Sequence, residues 1–371
     1  MRVLMIEHFS PGNAYATDLC RYLSNHIKLT ILCKDVVNEK IKGANLIPAL
    51  YSGGGINKLK SLADYITGIL TIRAELISEK YEIVHVQTFK AARIEIGLYK
   101  KYKSHNKLVH TVHNVLPHEE RKKDRELYGG FYRCCDALIV HNEASKFLLV
   151  SYFGIDESKI FVIPHGAYCV GSIPPVKKKD TVTHFLMFGT IREYKGVDVL
   201  LKAIAEIPQS KRKHMDFIIA GQQYSNQDRT DYEEMIAELG ISENVKMRRE
   251  RIPDSEIRTL FAWADACVFP YKEIYGSGAL LMAYAYRKPV IVSNVPAFVE
   301  ETDQGKTGLL FESGNEKALA EKLMDYDGFS DETRNAMVSS IAELVASKYN
   351  WEISAEKTKR VYDSLDLGKN Q

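Results

Sequence analysis

The sequence predicts an α/β protein built as two doubly wound parallel sheets, each in its own domain. Three observations predict it. The chain has 371 residues, more than one hydrophobic core usually organises. Short β-branched apolar runs alternate with segments of helical spacing, the pattern of parallel strands covered on both faces. Near the middle, "YCVGSIPPVKKKDTVTH" (168–184) breaks that alternation with glycine, paired prolines and a lysine run, as interdomain linkers do.

In the first half the strands read as "RVLMI" (2–6), "KLTILC" (28–33), "EIVHVQ" (82–87), "LVHTVH" (108–113), "ALIVHN" (137–142) and "IFVIP" (160–164). A turn at "SPGN" leads into the helix "AYATDLCRYLSN", and the longest helical spacing runs from Ile56 to Lys80. That segment is amphipathic; it reads as a core-packed helix behind a glycine-rich loop (53–55), with contact to a bilayer as the alternative. After the linker the strands are "FLMFGTI" (185–191), "DFIIAG" (216–221), "VKMRR" (245–249), "ACVFPY" (266–271), "PVIVS" (289–293) and "GLLF" (308–311). The helices "VDVLLKAIAEI", "YEEMIAELG" and "DSEIRTLFAWA" lie between them. In such sheets ligands bind outside the carboxyl ends of the strands, so two domains facing each other are expected to form a cleft there.

Composition narrows the function classes. Hydrophobic residues make up 45% and charged residues 26%, as in ordinary globular proteins. No run of apolar residues is long enough to span a bilayer, and "MRVLMIEHFS" lacks the apolar core of a signal peptide. The six cysteines have no metal-ligand spacing, which points to buried, reduced thiols and a cytoplasmic protein. Residues 1–175 carry 23 Lys and Arg against 17 Asp and Glu, and the remainder 27 against 31. The basic excess includes "YKKYKSHNK" (99–107) and "ERKKDRE" (120–126). It reads as a solvated surface or as a footprint for an anionic membrane or acceptor. No pattern points to nucleic acid.

Two strand-to-helix loops carry candidate chemistry. In "FGTIREYKGVDVLL" (188–201) a glycine ends a strand, and Arg192 and Lys195 follow before a helix. Two cations on one such loop can meet a diphosphate; the plain alternative is a solvated loop with an ion pair to Glu193. In "YKEIYGSGALLMAYAYRKPVIVS" (271–293) a Gly-Ser-Gly turn opens an apolar helix. Gly276 and Gly278 allow close backbone approach and positive φ. The free N–H groups of the helix start suit phosphate. The helix has no acid in its first turns, only Met282 one turn past Gly278.

These two stretches, with "HTVHN" (110–114) and "VIPHG" (162–166), resemble the retaining GT-B glycosyltransferases of the large family 4, also called glycosyl transferases group 1. The resemblance covers nearly the whole chain. It implies two Rossmann-like domains: an acceptor-binding one over 1–172, joined by a final helix in 351–371, and a nucleotide-sugar-binding one over 180–350. It implies transfer of a sugar from a nucleotide-diphosphate sugar, UDP- or GDP-linked, to a saccharide or lipid-linked saccharide. Surface polysaccharide, O-antigen or glycoconjugate synthesis at the inner face of the cell membrane, with peripheral membrane association, is the expected setting. No essential metal and no nucleic acid are expected.

By the same resemblance Lys195 neutralises the donor diphosphate. Gly189, Thr190, Arg192, Tyr275, Gly276, Ser277, Gly278 and Ala279 belong to the donor site. Thr190 stands where relatives often carry arginine, and Arg192 supplies the second charge. Counting back from Lys288-Pro289, the family's second glutamate falls on Met282 and its first on Ile274, beside Glu273, which takes the first glutamate's role if the loop shifts by one residue. A thioether is a weak acceptor, so the ribose is held from elsewhere or the nucleotide binds modestly. In the first domain Gly12 and Asn13 face the donor phosphate or sugar, and His113 the sugar hydroxyls. His113, Glu273 and Lys195 are thus the expected catalytic residues, and His141 and His165 cleft wall or support. Two other functions share these features: a nucleotide-sugar epimerase on the same fold, and a non-catalytic partner subunit that binds nucleotide sugar.

Overall fold

The computed structural model describes residues 1–8, 14–34, 41–50, 58–117, 120–171 and 181–366. The chain divides into two compact units, Met1–Gly166 with Lys348–Gln371, and Ala167–Ser347.

In the first unit the strands are β1 (Arg2–Glu7), β2 (Lys28–Cys33), β3 (Ala44–Pro48), β4 (Ile83–Val86), β5 (Lys107–Thr111), β6 (Ala137–Val140) and β7 (Ile160–Val162). The helices among them are α1 (Ala14–Leu23), α2 (Lys58–Ile77), α3 (Ala92–Tyr102), α4 (Asp124–Cys134) and α5 (Glu143–Phe153). The sheet order is β3-β2-β1-β4-β5-β6-β7, and every pair is parallel. Val3 pairs with Leu29 on one side and Ile83 on the other.

The second unit holds β8 (Thr183–Phe188), β9 (Met215–Ala220), β10 (Val245–Arg248), β11 (Ala266–Phe269), β12 (Val290–Ser293) and β13 (Gly308–Phe311). Its helices are α6 (Val197–Glu206), α7 (Gln209–Arg212), α8 (Tyr232–Glu238), α9 (Asp254–Trp263), α10 (Gly278–Ala285), α11 (Pro296–Glu301), α12 (Glu316–Asp327) and α13 (Asp331–Ser347). The order is β10-β9-β8-β11-β12-β13, again all parallel. The chain then returns to the first unit as α14 (Trp351–Asp366).

Each sheet reverses direction once, between β1 and β4 and between β8 and β11. Parallel crossovers are right-handed, so helices before and after the reversal lie on opposite faces. The loops leaving the two central strands therefore part and leave a crevice at their carboxyl ends. The first unit's core shows why α14 docks where it does. Val3, Met5, Leu29 and Ile31 pack with Leu19 and Leu23 of α1 and with Ala355 and Tyr362 of α14. Each large apolar side chain buried this way contributes about 1.5–3 kcal/mol.

Three sequence expectations change. β3 was not expected: it is a half-exposed edge strand, "ANLIP", without a clean apolar alternation. Its proline is tolerated because an edge strand leaves one side unpaired. The linker is shorter than 168–184, since β8 already begins at Thr183; residues 172–180 lie outside the described residues. Of the segment 56–80, described from residue 58, α2 packs on one face through Gly68, Ile72 and Leu76, while its Leu62, Ile66, Leu70 and Ile77 are exposed. Among the described residues no helix is long and apolar enough to cross a membrane.

Candidate active site

The second unit's loops after β8 and β11, the strands flanking its switch point, hold nearly all the donor-site residues expected from the sequence. β8 ends at Phe188, and Gly189 turns the chain with φ +123°. A Cβ there would sit 3.2 Å from Lys195 Nζ and 3.6 Å from the Ala279 Cβ. The Lys195 ammonium thus folds back over the strand end and lies beside the first turn of α10. A Cβ on Gly221 would meet the Gly189 carbonyl oxygen at 2.0 Å, so the neighbouring strand end presses on the same turn. Thr190 and Arg192 are half-buried, with Arg192 extended ahead of a 3₁₀ turn over Glu193–Lys195.

The two loops are locked together. Gly196 takes φ +68°, and a Cβ on it would lie 2.1 Å from the Pro270 carbonyl oxygen. The Lys272 N–H donates to the Tyr194 carbonyl at 2.7 Å, and Lys272 Nζ pairs with Asp198 at 3.1 Å. Lys195 Nζ stands 5.1 Å from the centre of the buried Tyr271 ring, within cation–π reach. Tyr271 is itself fixed through its carbonyl, which accepts the hydroxyls of Ser293 (2.5 Å) and Ser313 (3.3 Å).

Neither Arg192 nor Lys195 has an acidic partner among the described residues, so the ion pair to Glu193 is not formed. Burial, then the repulsion of Arg192, lowers the Lys195 pKa from 10.5 to about 8. Desolvation disfavours the charged form, and a bound anion would relieve it. Glu273 is exposed. It and Arg192 act in opposite directions on the Tyr194 hydroxyl, whose pKa burial raises.

α10 opens as its sequence suggests. The Ser277 hydroxyl accepts the Leu280 N–H at 3.2 Å, and no acid stands in the first turn. Neither Gly276 nor Gly278 uses its freedom to take a positive φ. What Gly278 supplies is room, because a Cβ there would lie 2.7 Å from the Tyr168 hydroxyl. Tyr168 was missed; it sits at the start of the linker segment, where nothing in its sequence marks a site. Gly276, Tyr275, Ala279 and Met282 are half-buried, and Gly278 is exposed.

In the first unit, Gly12 and Asn13 lie outside the described residues. His113, just past β5, is half-buried and hydrogen-bonded at both ring nitrogens: Nε2 to Gln87 Oε1 at 3.2 Å and Nδ1 to His141 Nε2 at 3.1 Å. His141 Nδ1 faces the Ile163 carbonyl at 3.1 Å, and Gln87 reaches His85 at 3.2 Å. His85 continues to Tyr362 of α14 at 2.5 Å. A carbonyl only accepts, so the Ile163 oxygen assigns the proton of neutral His141 to Nδ1. His141 Nε2 then accepts from His113 Nδ1–H, which makes His113 Nε2 an acceptor; the Gln87 amide would serve it only with its oxygen and nitrogen exchanged. One carbonyl thereby sets the polarity of the chain. Burial lowers the pKa of His85 and His165 to about 3 and of His110 and His141 to about 4, with His113 well below 6.5. Tyr15 packs within 4.8–5.3 Å of His113, His141, His165 and Trp351. His141 is thus hydrogen-bonded to His113, and His165 packs against Tyr15 and Trp351. Sequence reasoning missed Tyr15, Gln87 and Tyr362 because their partners are remote along the chain.

The geometry of this unit and the next defines a class of protein, two Rossmann-like units with phosphate-suited loops at a switch point, and comparison narrows it. The profile described as Glycosyltransferase Family 4 matches residues 12–168, and that described as Glycosyl transferases group 1 matches 172–340. The chain belongs to this family of glycosyltransferase enzymes, with the GT-B fold. It is 27% identical to the D-inositol 3-phosphate glycosyltransferase of Paenarthrobacter aurescens over 78% of this chain and 74% of that one. It is 23% identical to that of Corynebacterium aurimucosum over 89% and 83%. Among solved structures it is similar to sucrose-phosphate synthase from Thermosynechococcus elongatus (TM-score 0.78, 16% identity, 99% and 100% covered). It is similar also to Anabaena HepE in complex with UDP and glucose (TM-score 0.74, 16% identity, 98% and 100% covered).

Proposed function

We propose that the protein transfers a sugar, with retention of configuration, from a UDP- or GDP-sugar to a saccharide or lipid-linked saccharide. The observation that carries this is Lys195: a half-buried ammonium without a carboxylate partner among the described residues, folded between the Gly189 turn and the start of α10. A diphosphate there meets Lys195, Arg192 and the N–H groups of the first turn of α10, all of which stabilise the charge that develops on a departing nucleoside diphosphate. That the Anabaena relative was solved with UDP and glucose favours the same donor class here.

The reaction then runs as follows. The bond between the sugar's anomeric carbon and the phosphate oxygen breaks, giving an oxocarbenium-like centre. The acceptor oxygen bonds to that carbon on the same face, and its proton passes to the departing phosphate oxygen. Lys195 and Arg192 hold the leaving group without needing a metal. Glu273 contacts the donor sugar's hydroxyls, and His113, kept neutral by burial, lines the sugar from the first unit. Gly12 and Asn13 take part in the same role. Met282 offers no charged acceptor to the ribose, so the ribose is held from elsewhere or nucleotide affinity is modest. The acceptor is held by the first unit, and the work is surface-polysaccharide or glycoconjugate assembly at the cytoplasmic face of the membrane. The names of the curated relatives make inositol 3-phosphate the first soluble acceptor to try.

A thermal-shift screen of UDP-, GDP- and ADP-sugars tests the donor, because a ligand that binds only the folded state stabilises by mass action. The anomeric configuration of the product, read by NMR, tests the mechanism; an inverted linkage excludes it. Conversion of a nucleotide sugar without acceptor would instead make the protein an epimerase. Binding without hydrolysis or transfer would make it a non-catalytic subunit.

A further inference from the structure

Two surfaces of the first unit expose large apolar side chains, that of α5 with Phe147, Val150 and Tyr152 and that of α2 and α3, and on α2 and α3 exposed cations accompany them. From β3 the chain crosses to β4 and then steps through β5, β6 and β7 in one direction. Right-handed crossovers therefore lay α2, α3, α4 and α5 on the same face of the sheet. α2 touches α3, and α3 touches α4. The inward stripe of α2, Gly68, Ile72 and Leu76, already serves the core. Its outward side nevertheless carries Leu62 (56% exposed), Ile66 (49%), Leu70 (55%) and Ile77 (43%), and Ile94 of α3 is 54% exposed. The spacing 62, 66, 70 is one helical face. From Leu62 to Ile77 the ridge runs about 22 Å at 1.5 Å per residue.

Charge accompanies this ridge. Arg73, Arg93, Lys100 and Lys101 are exposed on α2 and α3. Among the described side chains of these two helices no acid is exposed: Asp64 and Glu75 are half-buried, and Glu95 is buried. Glu95 instead accepts the N–H groups of Lys90 and Ala91 at 2.9 and 2.7 Å. Arg73 Nε donates to the Tyr102 hydroxyl at 2.9 Å, tying the two helices into one platform.

We propose that this α2–α3 face docks on an anionic lipid bilayer, the apolar ridge entering the acyl boundary and the cations meeting lipid phosphates. An apolar helical ridge flanked by cations is the chemistry of interfacial binding. A second copy fits worse, since a two-fold contact sets the same patch against itself and would oppose unbalanced cations. The inference deepens the lipid-linked acceptor reading but stands on this surface alone, whatever the donor.

The test is co-sedimentation of the full chain with phosphatidylcholine vesicles and with mixed phosphatidylcholine–phosphatidylglycerol vesicles. Binding to the anionic vesicles only is expected, falling with added salt. The double variant Ile66→Glu, Leu70→Glu abolishes it. Each of Arg93→Ala, Lys100→Ala and Lys101→Ala weakens it about fivefold. All these side chains are exposed, so circular dichroism and melting remain as in the parent chain. Lys195→Ala keeps vesicle binding while losing the nucleotide shift, which separates this inference from the donor assignment. Absence of binding at low salt, or equal binding by parent and variants, overturns it. So does a dimer in sedimentation velocity that the variants dissociate without any vesicle binding.

Discussion

Lys195 makes the diphosphate assignment quantitative through pH. Its burial and the nearby Arg192 charge bring its pKa from 10.5 to about 8. The protonated amine is the form that attracts phosphate, and a bound dianion returns the pKa toward its ordinary value. Binding above pH 8 must then take up a proton, and affinity falls as the free site loses its charge. With a free-site pKa near 8, roughly nine-tenths of the sites are charged at pH 7 and about one-tenth at pH 9. UDP should therefore bind about tenfold more weakly at pH 9 than at pH 7, a loss of ~1.4 kcal/mol. The phosphates are essentially ionised over this range, so the ligand adds little slope. Isothermal titration calorimetry in buffers of different ionisation enthalpy measures both the affinity and the proton uptake. Lys195→Met should bind weakly with no pH dependence, and Lys195→Arg should flatten the profile because arginine stays charged. A parent affinity that is constant from pH 7 to pH 9, or the same slope in Lys195→Met, would refute the reasoning.

Three further outcomes are expected. His85, His110, His141 and His165 are held neutral by burial, with pKa values of about 3 to 4, so below pH 6.5 the unfolded chain binds more protons than the folded one. Their contribution is complete above pH 6.5 and is lost as pH falls toward 4, by up to about 1.4 kcal/mol per pH unit for each histidine; a urea midpoint unchanged between pH 7.5 and pH 5.5 would count against the network. Gly196→Ala should destabilise the second unit by about 1–3 kcal/mol, since it forces a Cβ at positive φ against the Pro270 carbonyl, and should remove the nucleotide-induced shift; a normal melting temperature would contradict the clamp. Met282→Glu should leave the thermal shift by UDP intact or enlarge it, because a carboxylate accepts ribose hydroxyls more strongly than a thioether; a smaller shift would place the ribose away from α10.

Much of this was legible locally. Alternating strand and helix patterns gave twelve of the thirteen strands among the described residues, and β3 escaped because an edge strand buries too little to impose a pattern. The donor loops were readable because glycine, cation and helix-start signals sit within a few residues of one another, at 188–201 and 271–293. The reason for Gly278 was not: its need is space for Tyr168, a residue far away in the chain.

By itself, the sequence determined two α/β units, their cation-bearing loops and a basic first half, since each depends on residues adjacent along the chain. Tertiary structure alone decided the strand orders, which set the β8 and β11 loops on either side of a switch point and bring Lys195 to α10. It alone decided the histidine chain that runs from Ile163 to Tyr362 and the side of α2 left facing outward. Those features join residues tens to hundreds of positions apart, and which of them meet is fixed by the handedness of crossovers and by the packing of helices on the sheets, not by any local preference.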